Sequence, residues 1–291
     1  MPELPEVETV RRGLEAHVVG HRIERVEVGR ERTVRRTSRE ALVAGLSGAT
    51  MTSAGRRGKY LVCPLDTGDS LMVHLRMSGQ LLLAPPGAPR PAHTHVVMHL
   101  AGAGRGAEVG AEVGAARELW FVDPRTFGEV VVFDPDNAEQ EVPELARLGV
   151  DPIADDLSRA VLRSILLGRS RRLKALLLDQ HLIAGIGNIY ADEILHQARL
   201  RHDRVSSTLT AREITRLHAA IHDVLRAAID EGGSTLRDAQ YVDLTGGDGG
   251  YQLFHRVYER AGQRCLTCGR ATIVREMVAG RSTAYCPRCQ H

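Results

Sequence analysis

The sequence predicts an α+β chain in three modules: an antiparallel β domain, a helical domain and a small cysteine-held knuckle. Three observations carry this. Short apolar segments separated by turn residues fill the first part of the chain. From about residue 139 the apolar period changes from two to 3.6. Four of the five cysteines fall after residue 264. Strands first and helices afterwards favour segregated α+β over alternating α/β architecture.

The elements follow in order. Val7, Val10, Leu14 and Val18 share one helical face, and Pro5 suits a first helical turn. Candidate strands cover Arg22–Val28, Lys59–Leu65, Leu71–Arg76, Gln80–Leu83, His95–Leu100, Leu119–Val122 and Glu129–Phe133. Asp66 to Asp69 and Met77-Ser78-Gly79 read as hairpin turns between them. Such close spacing predicts an antiparallel sandwich or barrel. Residues 101–117 are Gly/Ala-rich and repeat GAEV in tandem, which predicts a surface insertion. Helices are expected over Leu157–Leu167, Arg172–Leu178, Ile189–Gln197 and Ala211–Asp230, the last capped by Thr210. A polar, glycine-heavy stretch, Gly232–Gly250, precedes the knuckle. Domain boundaries are placed at 1–138, 139–240 and 241–291.

Composition narrows the function classes. Charged residues at 25% and hydrophobic residues at 43% describe a globular protein and exclude general disorder. No window approaches eighteen consecutive apolar residues, so no membrane helix is expected. The start, MPELPEVETV, has acids and prolines where a signal peptide needs cations and an apolar core. A cytoplasmic protein is expected. The net charge of +2 does not by itself indicate a nucleic-acid partner. The distribution says more: Arg56, Arg57 and Lys59 cluster, as do Arg169, Arg171, Arg172 and Lys174. Local patches of this kind bind phosphates even in a nearly neutral chain.

Cys265-Leu-Thr-Cys268 and Cys286-Pro-Arg-Cys289 are two C-x2-C pairs. Together they supply four thiolates for a tetrahedral Zn²⁺. Four sulfur ligands leave no open position, so one structural zinc is predicted rather than a catalytic one. Ala279-Gly280-Arg281 reads as the turn of the intervening hairpin, with Arg281 at or near its tip. Cys63 lies on an apolar strand and reads as a buried thiol.

The N-terminus has chemical potential of its own. Removal of Met1 would make Pro2 a free secondary amine. An α-amino group has a pKa near ~8, and a nearby helix N-terminus disfavours its charged form. Such an amine can attack an electrophilic carbon and form an iminium. Glu3 is adjacent and Glu6 lies one turn on, within reach for acid–base work. On spacing alone, the plainer reading is the stronger: Pro2 aids removal of Met1 and the glutamates suit the helix dipole.

Read together, the motifs resemble bacterial formamidopyrimidine-DNA glycosylases. The likeness begins with MPELPEVETVRRG at 1–13. It continues through Arg57-Gly-Lys59-Tyr60, His74-Leu-Arg-Met77-Ser-Gly79 and Asp123-Pro-Arg125-Thr-Phe127-Gly128. Gly185-Ile-Gly187-Asn188-Ile-Tyr190-Ala191 and the cysteine hairpin complete it. The resemblance implies an N-terminal β-sandwich with a leading helix, a helix–two-turn–helix domain and a C-terminal β-hairpin zinc finger. DNA is expected in the cleft between domains. It also implies a monomer that acts on damaged double-stranded DNA, removing oxidised purines and cutting the abasic strand by β,δ-elimination. Leu4 stands where the sister group, endonuclease VIII, typically has Gly, which favours the purine-directed branch.

By the same resemblance, Pro2 is the nucleophile and Glu3 the proton donor. Lys59 serves β-elimination, Arg281 serves δ-elimination and phosphate holding, and Glu6 is a further active-site carboxylate. His93, Arg125, Arg169 and Asn188 correspond to DNA-contact positions. His74 is a candidate for an additional phosphate contact, with a satisfied core histidine as the alternative. Met77, Arg125 and Phe127 correspond to the side chains that fill the space left by an extruded nucleotide. Gly232–Gly250 corresponds to a lid over the extruded base. Arg76 departs from the pattern, since many relatives have Gly there.

Overall fold

The computed structural model describes residues 1–34, 36–102, 116–236 and 241–291. The chain forms two compact units, one of residues 1–147 with 232–249 and one of residues 148–231 with 250–291.

The first unit begins with helix α1 (Leu4–His17), which buries Leu4, Val7, Val10 and Leu14 along one face. The chain then passes through β1 (Ile23–Val28) and α2 (Arg39–Leu46). Six more sheet strands follow: β2 (Gly55–Arg57), β3 (Tyr60–Pro64), β4 (Ser70–His74), β5 (Gln80–Ala84), β6 (Thr94–Leu100) and β7 (Arg117–Val122). β8 (Glu129–Phe133) completes the set, and the short helices α3 (Ala138–Glu141) and α4 (Pro143–Ala146) close the unit. Two four-stranded antiparallel sheets result, ordered β1-β6-β7-β5 and β2-β3-β4-β8. One core joins them with α1, through Val10, Leu14, Leu61, Val73, Leu81, Val96, Phe121 and Val130 among others. This is the expected sandwich with its leading helix. Cys63 is buried in this core, and burial pushes its thiol up to about 12.

One of the two expected hairpin turns needs correction. Asp66 to Asp69 is a hairpin turn joining β3 and β4, with Leu65 N–H donating to Asp69 O at 2.8 Å. Met77-Ser78-Gly79 is not, because β4 and β5 lie in different sheets. The segment instead carries the chain across the sandwich, and Gly79 N–H closes a one-turn loop on Leu75 O at 2.9 Å. A Cβ at Gly79 would stand 2.5 Å from that oxygen, so only glycine fits. Helix α2 and strand β2 have no counterpart in the sequence-based expectation. α2 is short, announced mainly by Ser38, whose Oγ accepts Ala41 N–H. β2 spans three residues, two of them arginine.

The second unit holds α5 (Arg159–Leu167), α6 (Leu173–Leu177), α7 (Asn188–Gln197) and α8 (Ala211–Asp230). The C-terminal hairpin follows, β9 (Val274–Val278) and β10 (Arg281–Tyr285). α8 has the bounds the sequence predicts, fixed by the Thr210–Glu213 capping box. None of the helices among the described residues is long and apolar enough to cross a membrane.

The insertion expected at 101–117 falls between β6 and β7, and its residues 103–115 lie outside the described residues. Residues 237–240 of the glycine-heavy stretch do too. Over its described flanks, that stretch is not loose. Tyr241 and Leu244 join the sandwich core, Leu83 N–H donates to Leu244 O, and Tyr241 Oη donates to Gly232 O. Leu244→Ala should therefore cost about 2–5 kcal/mol in urea unfolding. It should also speed hydrogen exchange over 241–249 while leaving the second unit unchanged. A cost under about 0.5 kcal/mol, the range of surface substitutions, would remove this strap from the core.

Candidate active site and nucleic-acid interface

Of the sequence-nominated groups in the first unit, Pro2, Glu3 and Glu6 stand at the start of α1. Glu3 is the N-cap, and Glu3 and Glu6 form a reciprocal capping box. Both carboxylates are almost wholly buried. Glu6 Oε2 accepts Glu3 N–H at 2.7 Å, and Glu6 Oε1 accepts Ser234 N–H at 2.7 Å. Glu6 thus ties the N-terminal turn to the base of the glycine-heavy stretch. Gly233 packs against it at φ +80°, where an added Cβ would stand 2.8 Å from Glu6 Oε1. Pro2 is buried beside this pair, its nitrogen here in an amide bond to Met1.

Lys59 sits in the two-residue turn between β2 and β3, with Gly58 at φ +58°. The arginines beside it do not act alike. The Arg56 side chain is buried; its Nε donates to Glu8 Oε2 at 3.1 Å and its Nη1 to Gly58 O at 2.9 Å. It is a strut from α1 to the lysine turn, not the surface phosphate cation its cluster suggested.

His74 ends β4 and is buried edge-on to Tyr60, ring centroids 4.2 Å apart. Its Nδ1 accepts Arg76 N–H at 2.9 Å. Burial first, then the Arg76, Lys59 and Arg36 charges, push its pKa well below 6.5. The ring is therefore neutral, with its proton on Nε2. Arg76 takes φ +53°, where Gly would be unstrained. Its guanidinium is held by Glu129 at 2.8 Å, which also pairs with Arg36 at 2.8 Å. The Arg76 side chain thus adds an internal anchor to the loop.

Next to Arg76, Met77 is 41% exposed, and Phe127 in the loop before β8 is 37% exposed. Both are more open than a core role would allow. Arg125 lies over the Phe127 ring at 5.1 Å. One carboxylate organises both loops. Asp123 is fully buried; it accepts Ser78 Oγ–H, Arg125 N–H at 3.1 Å and Gly128 N–H at 2.7 Å. His93 is exposed at φ +67°, and its carbonyl accepts Asp123 N–H.

In the second unit, Arg169 is exposed in the loop after α5. Asn188 opens α7, whose N-cap is Gly187. Its Nδ2 donates to Ser282 O at 3.0 Å, so it faces the hairpin as well as the helix start. Arg281 is exposed beside the two-residue turn Ala279-Gly280, whose φ values are +49° and +75°.

The four knuckle cysteines converge. Their sulfurs all lie within 4.8 Å of one another, with Cys265–Cys289 and Cys268–Cys286 each at 3.8 Å. A tetrahedron of ~2.3 Å Zn–S bonds has edges of ~3.8 Å. The site fits one structural zinc.

With this geometry in view, known proteins supply the frame. A model described as the formamidopyrimidine-DNA glycosylase N-terminal domain matches residues 1–130. A formamidopyrimidine-DNA glycosylase H2TH domain matches 148–240, and a zinc finger found in FPG and IleRS matches 262–291. The formamidopyrimidine-DNA glycosylase of Pelotomaculum thermopropionicum is 42% identical, across 100% of this chain and 99% of its own. The chain belongs to the formamidopyrimidine-DNA glycosylase family. The family member of a Nocardioides strain is 44% identical, across 100% of this chain and 94% of its own. Among solved structures, Lactococcus lactis Fpg in complex with an abasic-site DNA superposes with a TM-score of 0.87 at 36% identity, covering 99% of both chains. MutM (Fpg) of Thermus thermophilus gives 0.85 at 39% identity, covering 99% of this chain and 98% of that one. The protein is thus a DNA-repair glycosylase in its family and carries that family's H2TH and zinc-finger domains.

Several supporting residues of this family member carry no clear mark in the sequence: Glu8, Glu129, Asp192 and Glu193. Each is a buried charge, and its role rests on partners remote in the chain. Glu193, for example, accepts the backbone N–H groups of Arg256, Val257 and Tyr258 at 2.8–2.9 Å. Asp123 and Lys174, buried too, do have a signal, one in the Asp-Pro-Arg-Thr-Phe-Gly run and the other in the basic run that begins at Arg169.

Removing the zinc by chelation should unfold the 265–289 hairpin and abolish DNA binding, while the sandwich keeps its melting transition. Unchanged binding after elemental analysis confirms metal loss would refute this role. A second expectation concerns pH. Burial lowers His255 from 6.5 to about 4, and His74 is lowered too. The unfolded chain therefore takes up these protons first. Their stabilising contribution is complete above pH ~6.5 and is lost as pH falls, by at most ~1.4 kcal/mol per pH unit for each ring. Denaturant unfolding between about pH 4.5 and 7.5 should show this slope, and His255→Gln should reduce it, leaving the share of His74.

Proposed function

We propose that the protein is a bifunctional DNA glycosylase/AP lyase that removes oxidised purines, 8-oxoguanine and formamidopyrimidines, and then cleaves the abasic strand by β,δ-elimination. The reading rests on the family's ordered motifs. The observation that carries it is the arrangement at the start of α1, where Pro2 is flanked by the buried Glu3 and Glu6. In this reading residues 1–138 are the catalytic domain, 139–240 bind DNA, and 241–291 bring the end of the lid and the zinc hairpin. The partner is damaged double-stranded DNA, and the enzyme works as a cytoplasmic monomer.

The chemistry starts once Met1 is removed. The Pro2 nitrogen, kept neutral in part by the helix N-terminus, attacks C1′ of an extruded nucleotide. The C1′–base bond breaks and its electron pair leaves with the base, to which Glu3 donates a proton. The proton given up by the Pro2 N–H recharges Glu3, which then protonates the ring oxygen as the sugar opens to the iminium. The resulting iminium is an electron sink that acidifies the C2′ protons. Loss of one expels the 3′ phosphate, with Lys59 serving this step. A second elimination releases the 5′ phosphate, with Arg281 serving that one. A hydrolytic glycosidase would need a carboxylate pair and a water instead.

The remaining site residues bind. Asn188 and the preceding glycine backbone offer donors to a phosphate at the start of α7. His74 has its Nε2 proton for another, and His93, Arg125 and Arg169 are exposed donors. Met77 and Phe127, with Arg125 stacked on the latter, are placed at exposed loop tips suited to replacing lost base stacking.

Borohydride reduction on an 8-oxoguanine duplex should trap a covalent protein–DNA adduct once mass spectrometry shows that Met1 is absent. Pro2→Gly should greatly reduce that adduct, because it replaces a ring-held secondary amine with a more mobile primary one. No adduct from correctly processed protein would leave only a DNA binder. Faster release of 5-hydroxyuracil than of 8-oxoguanine would overturn the purine assignment.

A further inference from the structure

Arg281 sits on a hairpin of only five-residue strands, so its placement depends on how that hairpin is seated. β9 pairs with one edge of β10. The opposite edge of β10 offers a carbonyl at Ser282 and an N–H at Ala284, alternating as a third strand would require. Side chains meet them instead. Ser282 O accepts Lys174 Nζ at 3.0 Å and Asn188 Nδ2 at 3.0 Å. Ala284 N–H donates to Asp192 Oδ2 at 2.9 Å.

Lys174 and Asp192 also hold each other. Lys174 Nζ lies 2.7 Å from Asp192 Oδ1, with side-chain exposures of 4% and 1%. The same ammonium donates to Thr283 Oγ1 at 2.9 Å. A lysine has three donors, and Ser282 O, Thr283 Oγ1 and Asp192 Oδ1 match them. Lys174 belongs by sequence to the basic run that begins at Arg169, yet its charge is turned inward. It lines the floor of a cavity of about 340 Å³ together with Arg171, Arg172, His202 and Arg281.

Burying an ion pair costs desolvation, and an apolar pair of like volume is often as stable. The pair is better explained by what it specifies. Three consecutive residues, Ser282, Thr283 and Ala284, are each engaged by it. A one-residue shift of the hairpin along this edge would set Cα–H groups, from residues whose N–H and C=O face β9, opposite Lys174 and Asp192 and so strand both charges. We infer that Lys174 and Asp192 are positioning residues for Arg281: they fix the register of β10, and with it the place at which the neighbouring guanidinium is presented to the DNA. This deepens the reading above and rests on its assignment of Arg281.

The test is a double-mutant cycle on the zinc-loaded, full-length enzyme. Lys174→Met and Asp192→Asn are each combined with Arg281→Ala. The readouts are the ratio of δ- to β-elimination products on an abasic-site duplex and the rate of imine trapping. Zinc content and thermal melting report whether each variant is folded. The apolar double variant Lys174→Met with Asp192→Leu removes both charges and so avoids an orphaned one.

In the Arg281 background Lys174→Met should lower the δ:β ratio roughly ten-fold, the scale of a lost charged hydrogen bond. In the Arg281→Ala background the same change should have almost no further effect, because both act through one group. Hydrogen exchange at 282–284 should rise in the folded variant, whereas imine trapping should change little. A Lys174 effect that persists at full size without Arg281 would overturn the inference alone, as would an unchanged ratio in the folded apolar double variant. An Arg281→Ala enzyme with wild-type products would overturn the role of Arg281 and the inference with it.

Discussion

Buried carboxylates that accept backbone N–H groups hold the loops on which the candidate functional groups stand. A carboxylate away from water must find donors or lose its charge, and an unpaired buried N–H is nearly as costly. Each need answers the other here. Glu6 takes the N–H groups of Glu3 and Ser234, and Asp123 takes those of Arg125 and Gly128. Glu193 takes three in succession before the knuckle, and Asp192 takes Ala284. The arrangement gives loops the positional definition that a sheet or helix gives its own residues. Burial pushes Asp192 up to about 7 even against Lys174, so these contacts are held at an electrostatic cost.

The exposed tips then need little support of their own. Met77, Phe127, His93 and Arg281 are all presented by turns whose backbones are unusual. Arg76, His93, Thr126 and Ala279 take positive φ without being glycine. Such conformations persist only where the surroundings over-determine them. Asp123 and Glu129 do that in the first unit.

Much of this is legible in the sequence, and the boundary is physical. Seven of the strands and the long helix after Thr210 follow from local periodicity and capping, which are short-range properties. The zinc ligands follow from spacing, because two C-x2-C turns can present their sulfurs with little help from the rest of the chain. The Met77 turn misleads because a turn signal reports a change of direction and not which sheet the next strand joins. Arg56 misleads because a charge cluster does not reveal that one member points inward to Glu8. The organising carboxylates are invisible for the same reason: Asp192 meets Ala284 across 92 residues of sequence, and Glu6 meets Ser234 across 228. The roles of Pro2 and Lys59 come from likeness to a family, since neither residue type at its position is unusual for a helix start or a tight turn.

The isolated thiol in the sandwich has a practical corollary. Cys63 is enclosed among apolar side chains and pushed up to about 12, so almost none of it is thiolate at neutral pH. The other four cysteines are occupied as long as their ion is bound. A thiol-labelling dye therefore finds no ready target on the loaded enzyme and up to four once the ion departs. The chain carries its own built-in gauge of metal loading, readable by mass without any engineered reporter.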